Sequence, residues 1–252
     1  MKNFIRSYWK TLLFFSLVGL FGGFFTGIYL MDSYPAEVQQ QLLDQGLNNT
    51  LLGAVTALQS AGYGLVLGAL GIILGKKVGL WKDERFLAKK PLGIAVISSV
   101  IGGLALILPD ILFFGRYSEA ILDSYASKPT VSYLLATVTY GAVIEEVMLR
   151  LFAMSLAAFI LHKLFWRKNA DTPAAALISA NILSALLFAA GHLPATLMLL
   201  GSSPLILFRC FLLNGGFGLW FGRLYRKYGL RYAMIAHGGC HLVSKLIWVL
   251  FI

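Results

Sequence analysis

Charge is scarce in this chain. Charged side chains make up 13% of its 252 residues, roughly half the share usual in soluble domains. Together with 58% hydrophobic residues and a mean hydropathy of +0.77, that shortage excludes an ordinary soluble globular protein. Cysteine is nearly missing. Cys210 and Cys240 are the two present, and both fall in apolar runs, which excludes a disulfide framework and leaves them as packing residues. No low-complexity linker or soluble domain interrupts the chain, so 1–252 reads as a single integral membrane domain. The first apolar run has a basic start, yet Phe24-Phe25-Thr26-Gly27 follows it where a cleaved signal peptide would need small residues of the Ala-x-Ala kind. A retained first helix is expected.

What the sequence does have is long hydrophobic runs. A helix crossing a bilayer needs about 20 apolar residues. Such stretches can be laid out as Thr11 to Leu30, Leu51 to Leu74, Leu92 to Phe114, Val131 to Leu161, Pro173 to Leu200, Leu205 to Gly222 and Tyr232 to Ile252. The expectation is an all-α, polytopic transmembrane bundle of about seven spans. Basic residues gather in alternate connections: Lys2, Arg6 and Lys10 before the first span; Lys76, Lys77, Lys82, Arg85, Lys89 and Lys90 after the second; Lys163, Arg167 and Lys168 after the fourth; and Arg223, Arg226, Lys227 and Arg231 after the sixth. The connections after the first and third spans carry acidic or balanced charge. By the positive-inside rule the N-terminus is cytoplasmic and the C-terminus external. The net charge of +10 is thus a topology signal and gives no reason to expect a nucleic-acid partner; membrane lipids are the expected surroundings. Compact size and this strong bias favour a bacterial plasma (inner) membrane.

Glycine, by contrast, is abundant. Gly62, Gly64, Gly68, Gly71 and Gly75 run through the second span. A nucleotide loop would need a preceding strand, so close helix packing is the expected use. The stretch from Asp32 to Thr50, with Pro35 and several amides, reads as an external loop with a short surface helix.

Against this apolar background stands Glu145-Glu146-Val-Met-Leu-Arg150. An ionisable group inside a membrane is costly and marks a functional site by default. On an α-helix of about 3.6 residues per turn, Glu146 and Arg150 stand at i and i+4 and can form an internal ion pair, while Glu145 projects about 100° away and can face another helix. A packing or gating network in a transporter would use the same three charges.

Of the four histidines, His162 sits beside Lys163 at the end of the fourth span and reads as interfacial. His192 lies in Phe188-Ala-Ala-Gly-His192, within the fifth. His237 and His241 share one face of the seventh as an i, i+4 pair. Polar residues in a bundle converge, because none faces lipid cheaply. His237 and His241 are counted near the cytoplasmic start of their helix, while Glu145 and His192 are counted deeper; a fourth helix long enough to project into the cytoplasm, and a break of the fifth at Pro194 and the Gly201-Ser-Ser-Pro204 turn, would adjust their heights. Arg209, Asn214 and Lys245 stay unassigned within spans, and Lys245 can snorkel.

Glu-Glu-x-x-x-Arg at Glu145 to Arg150, Phe-x-x-x-His at Phe188 to His192 and a later motif starting at His237 resemble, in that order, the CAAX protease and bacteriocin-processing family, also called the type II CAAX prenyl endopeptidase family. The segment Phe217 to Gly229 also looks like the family's approach to its last motif. The resemblance covers 131–252, the motif-bearing core. It implies an intramembrane glutamate protease that needs no cofactor, in which Glu145 and His192 activate water, Glu146 and Arg150 support them, and His237 and His241 stabilise the oxyanion. The family usually has asparagine where this chain has His241, and an imidazole can donate in its stead. Implied substrates are peptides or proteins, including prenylated tails and leader peptides.

Two other readings use the same residues. His237 and His241 have the spacing of two zinc ligands, with Glu145 or His192 as a third, although Gly238 stands where a His-Glu-x-x-His helix has its glutamate. A membrane scaffold or immunity protein could hold the cluster for structure alone. No Ser-His-Asp or Cys-His order is present, and adjacent helical residues such as Cys240 and His241 diverge too far to form a dyad.

Overall fold

The computed structural model describes residues 2–83 and 86–252; Arg85, counted above in a basic connection, lies outside them. Among the described residues every regular element is helical. We number them α1 (Lys2–Ser33), α2 (Ala36–Asp44), α3 (Asn49–Lys77), α4 (Lys89–Leu112), α5 (Glu119–Asp123), α6 (131–165), α7 (Ala174–Gly191), α8 (Leu193–Leu200), α9 (Pro204–Tyr228) and α10 (Leu230–Phe251). Among the described residues six helices are long and apolar enough to cross a membrane, namely α1, α3, α4, α7 continued by α8, α9 and α10. The remaining expected span lies in α6, which is helical throughout but changes its winding.

Local chemistry sets the helix ends. Asn48, Thr130 and Ser203 cap α3, α6 and α9 by accepting from the backbone N–H groups of Leu51 (2.9 Å), Tyr133 (3.2 Å) and Ile206 (3.3 Å). Gly229, at φ +112°, lets the chain turn from α9 into α10. The short α2 has no buried residue, in keeping with a surface helix.

The helices pair as α1 with α3, α4 with α10 and α7 with α9, and α6 runs among all three pairs. Side chains such as Leu17, Phe21, Leu58, Ile97, Ile101, Leu187 and Phe208 point outward, as lipid-facing surfaces should. The glycines of α3 do pack closely, with one exception. A Cβ on Gly64 would lie 2.6 Å from the Phe15 carbonyl oxygen of α1, and one on Gly71 would lie 2.6 Å from Leu151 of α6, whereas Gly62 has open space beside it. Four of the five therefore carry the small-residue contact. Gly62 does not.

Candidate active site

Helix α6 is wound as a π-helix over Thr137–Glu145 and again over Val147–Met154. Hydrogen bonds there run from i to i+5, a rare winding that concentrates at functional sites. The α-helical angle assumed from the sequence for Glu145 therefore does not apply. The i, i+4 ion pair forms nonetheless, with Arg150 Nη1 3.3 Å from Glu146 Oε1 and both side chains fully buried.

Glu146 Oε1 has a second partner. His237 Nδ1 on α10 lies 2.9 Å from it, so the carboxylate lies between a guanidinium and an imidazole. With Nδ1 donating to Glu146, Nε2 is the free nitrogen of His237. It faces Glu145, whose Oε2 is 3.9 Å away on a partly exposed side chain. Rings complete the frame. The Arg150 guanidinium carbon lies 4.3 Å from the Phe188 ring centre and 5.6 Å from that of Phe221, and Phe221 stacks on His237 at 4.7 Å. No nitrogen of Arg150 makes a hydrogen bond within the described residues; its charge rests on Glu146 and the aromatic faces.

The fifth span breaks at His192, between α7 and α8, as the nearby Pro194 predicts: proline has no N–H to offer the Ala190 carbonyl. His192 Nδ1 is 2.8 Å from the Phe188 carbonyl oxygen. That carbonyl can only accept, so Nδ1 carries the proton and Nε2 is left as an acceptor. His192, His237 and His241 together line a cavity of about 30 Å³, closed by Phe188, Phe221 and Asn214 among others. His192, counted deeper from the sequence, thus meets His237 and His241 at one cavity, and Glu145 lies beside His237.

Gly141, which sequence reasoning passed over, lies at the centre of the arrangement. A Cβ there would be 3.7 Å from His241 Nε2 and 3.9 Å from His237 Nε2, so both imidazoles point at bare backbone one turn before Glu145. His241 Nδ1 is buried without a partner. Among the described residues no group of three or more His, Cys, Asp or Glu is arranged to hold a metal ion.

The other polar residues find separate tasks. His162 bonds Thr172 (3.0 Å) and the Asn169 carbonyl (3.2 Å), closing the turn after α6. Lys245 does not snorkel: it is buried, donates to the Tyr133 hydroxyl at 3.1 Å and lies over that ring. Arg209 forms a two-pronged pair with buried Asp110, which also accepts from Tyr125 at 2.9 Å. Cys240 Sγ points to the Ser98 carbonyl at 3.5 Å, a packing role away from His241.

The core of this helical membrane bundle thus gathers two glutamates, an arginine and three histidines, the histidines lining a water-sized cavity and the charged groups meeting at His237. Residues 127–243, a little under half of the chain and including every one of these groups, match the family model described as type II CAAX prenyl endopeptidase Rce1-like. This segment thus resembles the Rce1-like family, which is a protease family, consistent with a peptidase. No curated protein and no solved structure matches the chain.

Proposed function

We propose that the chain is an intramembrane glutamate endopeptidase in which Glu145 and His192 activate a water and His237 and His241 receive the oxyanion. The observation that carries this reading is the fixed orientation of His237. Its Nδ1 is held by the Glu146–Arg150 pair, so Nε2 is directed toward Glu145 and the space over Gly141. With Nδ1–H on Glu146, Nε2 donates to an oxyanion in the protonated ring, whose charge Glu146 and Glu145 flank, and preorganised donors aimed at developing charge are usually the largest contribution to such catalysis. His192 supports the reading independently, since its accepting nitrogen is free for a water proton. Substrates on this reading are membrane-associated peptides or proteins, with prenylated tails and leader peptides as the two classes to compare. A bacterial plasma membrane and seven crossings, with the N-terminus cytoplasmic, complete the proposal.

The test is cleavage of a reconstituted peptide library, read by mass spectrometry. Glu145→Gln and His192→Ala are each expected to lower turnover at least about 10²-fold, the range of a lost general base, with assembly unchanged. Activity that survives exhaustive chelation supports the glutamate mechanism. Loss on chelation, restored by zinc, would transfer the chemistry to a metal held by His237 and His241. Unchanged phenotype in both variants would leave the cluster with a scaffold's role.

A further inference from the structure

One amide in the cavity wall is unused by the scheme above. Asn214 comes from α9, which supplies none of the charged or imidazole groups, yet it lines the cavity with His192, His237 and His241. A polar side chain in an apolar span is costly unless it is satisfied. Asn214 Nδ2 donates to the Cys210 carbonyl of its own helix at 3.0 Å and approaches Cys210 Sγ at 3.6 Å. Its Oδ1 accepts no hydrogen bond from the described residues.

Cys210 explains why this amide and His192 keep a fixed relation. Its thiol is fully buried, donates toward the Ala189 carbonyl at 3.6 Å and accepts from Thr196 Oγ1 at 3.3 Å. Ala189 and Thr196 flank the break at His192. One sulfur therefore ties the α7–α8 junction to the turn of α9 that carries Asn214. The cavity's size, about 30 Å³, suits about one water, which needs two or more polar partners.

We propose that Asn214 Oδ1 accepts a hydrogen bond from one proton of the attacking water while the Glu145–His192 pair takes the other, and so aims its lone pair at the substrate carbonyl, an assignment that rests on the protease reading of the site. In the attack the water oxygen bonds to the carbonyl carbon, the C=O π pair moves onto the carbonyl oxygen, and one water proton passes to the Glu145–His192 pair. The other stays hydrogen-bonded to Asn214 Oδ1. Asn214 is then a catalytic residue contributed by a fourth helix.

The test uses full-length protein in proteoliposomes and a peptide that wild type cleaves. Asn214→Leu, similar in size but without an acceptor, is expected to lower kcat about 10²-fold with KM within about threefold, the signature of an interaction made at the transition state. Asn214→Asp, which keeps the acceptor, is expected to stay within about tenfold of wild type. Thermal melting is followed for each variant. A kcat within about threefold of wild type in Asn214→Leu overturns the proposal, whatever Glu145→Gln does. Should Asn214→Leu fail to assemble, Asn214→Asp decides: activity as low as that of Glu145→Gln overturns it. Cleavage retained in Glu145→Gln strikes at the glutamate mechanism instead and leaves the Asn214 comparison readable.

Discussion

Glu146 bears two obligations at once, countercharge to Arg150 and orientation of His237. Replacing it with glutamine leaves a guanidinium buried without compensation, an error that typically costs about 3–5 kcal/mol. Glu146→Gln is therefore expected to lower the melting temperature in detergent sharply, whereas Glu145→Gln, at a partly exposed side chain, should melt near wild type. Equal melting of the two would contradict the buried-pair account. Gly141→Ala isolates space from charge. The added methyl meets only ordinary contacts at 3.7–3.9 Å, so the fold should persist while turnover falls about tenfold or more as the gap between the imidazoles fills; wild-type turnover would remove Gly141 from the site. These residues differed in how far the sequence revealed them. Carboxylates, arginine and histidines announce themselves because each is costly in hydrocarbon. One glycine among 26 does not, since only the fold decides which backbone faces the reaction space. Asp110 and Arg209 escaped pairing because each looks isolated until α4 and α9 meet.

Among the elements, the runs of α1, α3, α4 and α7 to α10 were legible from apolar length alone, and the break at His192 from Pro194. The winding of α6 was not, because π and α turns share the same composition and differ only in which carbonyl each N–H selects. A different local device anchors the connection after α3. Asp83 accepts from Trp81 Nε1 at 2.6 Å and Tyr8 OH at 3.0 Å and faces Lys76 at 3.4 Å. Burial alone would raise its carboxyl, but the hydrogen bonds from Trp81 and Tyr8 and the Lys76 ammonium outweigh it and hold the group below the ordinary carboxylate range. A depressed folded value means that the anchor's stabilisation is present at neutral pH, above the unfolded value, and is lost as pH falls through the folded one. Trp81 emission should therefore change on acidification in wild type and already be shifted at neutral pH in Asp83→Asn. Matching titrations of the two proteins would sink this account.

At the level of the whole molecule, the proposed seven crossings with the N-terminus inside would put the two chain ends on opposite faces of the membrane. Single cysteines near Lys82 and near Glu119, in a background with Cys210 and Cys240 replaced, should label from opposite sides with an impermeant reagent. Labelling of both from one side would reverse the charge-based topology. The π winding of α6 carries a consequence for the gene as well as for the site. Each π turn holds about one residue more than the α turn it replaces, so in-frame loss of one codon between 137 and 154 lets one such turn close as an ordinary α turn. Such an allele would encode a chain with its carboxylates turned out of register and Arg150 buried without its partner, so that selection for stability would guard the same winding that the chemistry needs.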